Sequence, residues 1–143
     1  MKEKITAYLA EHKDEMVEDI FRLVRIRSDR GKPEEGAPFG AGPAKALAEA
    51  VKMVKEKGFP VKNYDNCVMA VDLGGTEPGL DILAHLDVVP VSDSWTVTQP
   101  FEPVLKDGRL YGRGTADDKG PAVAALYAMQ TVKALEIPLK KRV

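Results

Sequence analysis

Residues 122–129 form an unbroken run of eight apolar residues, Ala-Val-Ala-Ala-Leu-Tyr-Ala-Met, directly after Gly120-Pro121. Proline suits a first helical turn, where its missing N–H would be unbonded anyway. The run therefore predicts a helix that is apolar on most faces and must be buried. Only a layered architecture covers such a helix. Eight residues are far short of the ~20 needed to cross a bilayer, so the run does not predict a membrane span.

The rest of the chain supplies candidate layers. Ile5, Tyr8, Leu9, Met16, Val17, Ile20 and Val24 recur at helical spacing and predict an amphipathic helix over residues 3–27. Gly31, Pro33, Gly36, Pro38, Gly40 and Gly42 predict a long loop over residues 28–42, either a mobile gate or a plain connector. Ala44, Leu47, Ala48, Val51 and Val54 mark a second helix, stopped by Gly58 and Pro60. Residues 67–73 and 80–89, divided by Gly74-Gly75-Thr76-Glu77-Pro78-Gly79, read as two strands. Asp107-Gly108 inside residues 104–111 signals a hairpin. Residues 137–143 read as a connection turning into another strand. Helices before, between and after strands predict an α/β layer architecture. The predicted sheet is too narrow for the apolar helix, and a partner chain or further sequence is expected to complete it.

Charge and cysteine usage narrow the function. Across 143 residues, 21 Lys+Arg against 22 Asp+Glu leave a formal charge of −1. Such a balance predicts neither a nucleic-acid nor an anionic-membrane partner, and Lys140-Lys141-Arg142 reads as a short solvated charge run. The lone Cys67 cannot form an internal disulfide and reads as a small core hydrophobe. With a charged amphipathic N-terminus, this predicts a cytoplasmic protein.

Two clusters carry chemistry. His85 and Asp87 stand two apart at the end of the strand predicted over residues 80–89, so both side chains share a face. The pair suits a metal ligand with an orienting carboxylate, or an acid/base couple, or a merely satisfied strand-end histidine. The second cluster, Gly112-Arg113-Gly114-Thr115-Ala116-Asp117-Asp118-Lys119-Gly120-Pro121, puts adjacent carboxylates on a glycine-rich turn at a helix N-terminus. That is either acidic capping or a carboxylate that bridges two cations. The other histidine, His12, lies among charges and reads as solvated or capping. Trp95 and Phe101 read as packing anchors or, given their nearness to His85 in sequence, as substrate contacts.

With these residues in order, the chain resembles a known family. The segment Leu83-Ala-His-Leu-Asp-Val-Val-Pro90, then Trp95, Pro100-Phe101-Glu102-Pro103 and Lys106-Asp-Gly-Arg-Leu-Tyr-Gly-Arg-Gly-Thr-Ala-Asp-Asp-Lys-Gly-Pro121 is similar to the dinuclear zinc peptidases that include carnosinases and bacterial dipeptidases. Desuccinylases and deacetylases belong to the same superfamily. Pro38-Phe39-Gly40 and Lys57-Gly58-Phe59 extend the likeness upstream. The resemblance implies a zinc-aminopeptidase-like three-layer catalytic domain, of which residues 1–143 would be the N-terminal portion, its sheet incomplete because the chain is truncated.

It further implies that His85 binds one zinc, Asp117 bridges both, and Asp87 orients or polarises the site as a catalytic residue. Asp118 is not an expected ligand, and a non-proline cis peptide is expected at Asp117-Asp118. Manganese or cobalt are alternatives to zinc, and the chain by itself could be metal-free. Asp-Asp-Lys-Gly-Pro favours dipeptide substrates. Ala84, Ser92-Asp93-Ser94 and Gln99 depart from the family's pattern without touching an expected ligand. The general-base glutamate and the remaining ligands lie, in the family, downstream of residue 143, so the chain alone is expected to be inactive. The alternative is a non-catalytic protein that self-associates through an open sheet edge.

Overall fold

The computed structural model describes residues 1–92 and 94–143; Asp93, one of the departures from the family pattern, lies outside the described residues. The element order is α1 (Lys2–Glu11), α2 (Lys13–Val24), α3 (Ala41–Glu56), β1 (Val61–Tyr64), β2 (Val68–Val71), β3 (Val104–Lys106), β4 (Arg109–Tyr111) and α4 (Lys119–Ala134). The single helix expected over residues 3–27 is broken at His12, whose N–H closes α1 on Tyr8 O at 3.1 Å. The His12 ring stacks on Tyr8 with centroids 4.0 Å apart, and Nδ1 lies 2.9 Å from Tyr8 O. This is the capping role read from the sequence.

Ile20, Leu23 and Val24 of α2 meet Ala50, Met53 and Val54 of α3 and Val123, Leu126 and Tyr127 of α4 in one core cluster. Only one face of α4 is buried in this way; Ala124 and Ala128 are exposed, which corrects the expectation of an all-round buried helix. Beside the buried face, Ala122, Ala125 and Met129 border a groove of about 620 Å³ that α3, β2 and residues 80–87 also line.

Both hairpins are antiparallel. β3 and β4 turn through Asp107 and Gly108 at φ 51° and 73°, as the dipeptide predicts. β1 was not foreseen: Val-Lys-Asn-Tyr alternates weakly, and its turn uses Asp65 and Asn66 at φ 52° and 54° in place of glycine. Cys67 therefore follows a turn and is exposed, which corrects its reading as a core hydrophobe.

The strand expected over residues 80–89 does not form a ladder. It meets a neighbour only near its ends, where Val88 N–H donates to Ser28 O at 3.2 Å and Leu80 N–H donates to Arg142 O at 3.2 Å. A ladder needs a continuous neighbour, and within the described residues none runs alongside. Leu83 is accordingly 94% exposed. The chain's last residues do pair, with Leu73 and Val143 exchanging both backbone hydrogen bonds at 2.8 and 2.9 Å. The loop at residues 28–40 is internally bonded, Gly31 N–H to Phe39 O at 2.9 Å, and Asn66 Nδ2 ties it to the first hairpin through Gly36 O at 2.8 Å.

A buried polar cluster joins the three core helices. Asp19 of α2 is 4% exposed. Its carboxylate takes Arg22 NH1 at 2.9 Å, Lys57 Nζ at 2.7 Å and the Tyr127 hydroxyl at 2.9 Å. Burial alone would lower the Lys57 pKa, but bonds to Asp19, Glu15 and Tyr127 outweigh it and hold the ammonium charged. Burial likewise holds the Tyr127 phenol above its ordinary value. Removing the one carboxylate would leave the Lys57 ammonium without its main partner. Asp19→Ala is expected to cost about 3 kcal/mol in urea unfolding, against about 1 kcal/mol for Tyr127→Phe; equal costs would show that the carboxylate is not the hub.

Candidate metal centre

Glycines let the loop before α4 fold back on its neighbours. Gly114 has φ 93°, and a Cβ there would come within 3.2 Å of Val88 Cγ1. A Cβ at Gly120 would lie 2.0 Å from Thr115 O, so no side chain fits at that approach. The loop thereby lies against residues 85–88. The peptide bond between Asp117 and Asp118 is cis, as the resemblance implied.

His85 and Asp117, 32 residues apart, converge: Nε2 lies 3.0 Å from Asp117 Oδ1. On the other side of the ring, Nδ1 lies 3.1 Å from Asp87 O and 3.3 Å from Asp87 Oδ1. Asp118 faces the histidine's backbone instead, its Oδ2 accepting from His85 N–H at 3.2 Å. Asp87 thus holds the ring by carbonyl and carboxylate, and Asp118 holds its main chain.

The proton count in this arrangement is informative. A carbonyl oxygen only accepts, so Nδ1 must carry the proton that reaches Asp87 O. In a neutral ring Nε2 is then a bare lone pair, and it faces another acceptor, the Asp117 carboxylate. The contact is favourable only with a second proton or a cation between the two atoms. The His85 pKa is raised accordingly: slight burial pulls it down, and the Asp117 bond with the Asp87 carbonyl and both carboxylate charges outweighs this.

An imidazole nitrogen and a carboxylate oxygen converging in solvent suit a zinc-type ion in kind. They fall short in number, because the described residues contain no group of three or more His, Cys, Asp or Glu able to hold a metal ion. Trp95 and Phe101 stand under guanidinium groups, Arg113 at 5.5 Å and Arg27 at 5.8 Å from the ring centroids.

Two residues that the sequence reading did not select underlie this geometry. Lys119 is fully buried, its Nζ donating to Leu23 O at 3.0 Å and Ile26 O at 2.8 Å at the end of α2. Burial brings its pKa down to about 8, with the charge of Asp87 opposing. Ser28 is also fully buried and donates Oγ to Leu86 O at 2.7 Å. A signal for Lys119 existed: a cation in the first turn of a helix opposes the dipole and needs another reason to be there.

In fold the chain falls among dipeptidase domains. It superposes on human carnosine dipeptidase 1 with a TM-score of 0.79 at 29% identity, over 99% of this chain and 33% of that one. Against the di-peptidase Dug1p of Saccharomyces cerevisiae the TM-score is 0.78 at 18% identity, over 97% of this chain and 32% of the other, a likeness of fold. The model of peptidase family M20/M25/M40 matches residues 82–143. "Putative dipeptidase YtjP" of Bacillus subtilis is 38% identical over 133 residues, 92% of this chain and 28% of that protein. A "Putative dipeptidase" of Staphylococcus epidermidis is 38% identical over 144 aligned positions, 99% of this chain and 30% of its own length. The chain thus spans less than a third of the relatives it matches. The matched region contains His85, Asp87 and Asp117.

In the metal-free chain the His85 imidazole is expected to titrate above its ordinary value of 6.5. A folded-state pKa raised in this way adds stability that is fully present below the unfolded pKa and is lost as pH rises through the folded one. Asp117→Asn should bring the midpoint down in an NMR titration; a midpoint that does not respond would show that the two side chains do not interact in solution.

Proposed function

We propose that residues 1–143 are the N-terminal portion of the catalytic domain of a zinc-dependent, dipeptidase-like amidohydrolase that cleaves the peptide bond of small dipeptides in the cytoplasm. The observation that carries this reading is the pair of acceptors, His85 Nε2 and Asp117 Oδ1, facing each other at 3.0 Å. A pair of this kind calls for a second proton or a cation.

In this reading His85 and Asp117 are donors to the metal, Asp117 being the carboxylate that bridges two ions. Asp87 keeps the proton on Nδ1 and leaves Nε2 free to donate its lone pair. Asp118 fixes the His85 backbone and stays out of the donor set. Two zinc ions, or manganese or cobalt in their place, would supply Lewis acidity toward an amide carbonyl and lower the pKa of bound water toward ~7. Roughly five protein ligands serve a two-metal hydrolytic site, and the described residues bring two together, so the chain by itself holds part of the machinery. The expected outcome is weak Zn²⁺ binding by calorimetry, lost in both His85→Ala and Asp117→Asn, with no dipeptide hydrolysis by the isolated chain. Zn²⁺ binding that survives both substitutions would remove the reading, as would chelator-sensitive hydrolysis for the claim of inactivity.

A second reading, self-association without catalysis, draws on the exposed apolar side chains of Leu80, Ile82 and Leu83 beside the groove. It predicts a concentration-dependent dimer in sedimentation that Leu83→Lys abolishes. A chain that sediments as a monomer throughout would dispose of it.

A further inference from the structure

His85 and Asp117 are 51% and 88% exposed, so burial fixes neither side chain. Their relative position must be set by the backbones that carry them. On one side, residues 86–88 hang from Ser28: its Oγ donates to Leu86 O at 2.7 Å, and its carbonyl accepts Val88 N–H at 3.2 Å. On the other side, the start of α4 hangs from the end of α2 through Lys119, bonded to Leu23 O and Ile26 O at 3.0 and 2.8 Å. Both attachments therefore end on one short stretch, residues 23–28. That stretch is itself confined from outside, since a Cβ at Gly42 of α3 would lie 2.6 Å from Arg27 O.

We propose that Ser28 and Lys119 are positioning residues that hold the His85–Asp117 pair in register. The role rests on the metal-centre reading only for what the pair finally binds. Both side chains are fully withdrawn from solvent, and both spend their hydrogen bonds on main-chain carbonyls: Ser28 on Leu86 O, and Lys119 on Ile26 O and on Leu23 O, which also accepts the Ile26 N–H at 3.1 Å. An apolar side chain at 119 would fill the space with no ammonium to desolvate. What it would lack is directional attachment to two carbonyls of the same stretch that anchors His85.

The test uses the whole chain. It has two histidines, so the ring-nitrogen signals of His85 are readily assigned by ¹⁵N NMR. In the metal-free wild type, Asp117→Asn should shift the Nε2 signal. In a Lys119→Met or Ser28→Ala background the same substitution should have little effect, because the pair is already out of register. Zn²⁺ affinity should fall roughly tenfold or more in both variants, the range found when groups that orient a ligand are lost. Thr131→Val, which removes another buried hydrogen bond of α4 to Tyr127 O, should destabilise the fold without changing either readout. If Lys119→Met does not fold, Ser28→Ala decides alone. Full coupling and unchanged Zn²⁺ affinity in the folded variants overturn the positioning role and leave the metal centre standing. A wild type that ignores Zn²⁺, with coupling that is present and then lost in the variants, overturns the metal centre and leaves the positioning role standing.

Discussion

A single ammonium group, that of Lys119, connects the parts of this molecule that matter for its chemistry. Its partners are carbonyls at the end of α2, Leu23 O and Ile26 O, where the helix runs out of intrahelical donors. An arginine would not serve equally, since two carbonyls on successive turns suit a compact charge with rotatable donors better than a planar fork. The cost is large, because the first turn of α4 repels a cation and burial lowers the group's pKa. In return, the end of one helix fixes the start of another, and the two site aspartates sit directly before that start.

The Asp19 cluster has a different job. It lies among α2, α3 and α4, where Lys57, Arg22 and Tyr127 share one carboxylate, and it fixes how the helices cross. Deletion of a partner there strands a buried charge, so the cluster defines packing more than it adds stability. The site therefore stands on two polar devices in series: one orients the helices, and the other transmits that orientation to residues 85–88 and 117–119.

The sequence made the helices and the second hairpin legible because periodicity and the Asp107-Gly108 pair are local signals. The likeness around residues 83–90 and 106–121 pointed to His85 and Asp117, and the structure brings those side chains to 3.0 Å. The illegible parts depend on partners distant in sequence. Residues 80–89 have strand composition, yet a strand is a relation between neighbours, and the described residues provide one only near each end. β1 was hidden because Asp65 and Asn66 turn the chain without glycine. Asp19, Ser28 and Lys119 look like ordinary helix and loop polar residues until burial is known.

The openness of the site follows from the same geometry. Residues 80–87, α3, β2 and α4 line the groove, whose lining includes His85 and Asp87, while the Asp117 carboxylate is 88% exposed. Asp87, Asp117 and Asp118 concentrate negative charge beside His85, with Lys119 the nearest buried positive group on the same helix start. Two carboxylates against one ring, with a third at its backbone, repel each other unless positive charge stands among them. The raised pKa of His85 is the chain's own partial answer, a proton held where the acceptors meet. In the proposed reading a divalent cation would meet the same demand with twice the charge, taking the place of the Nε2 proton.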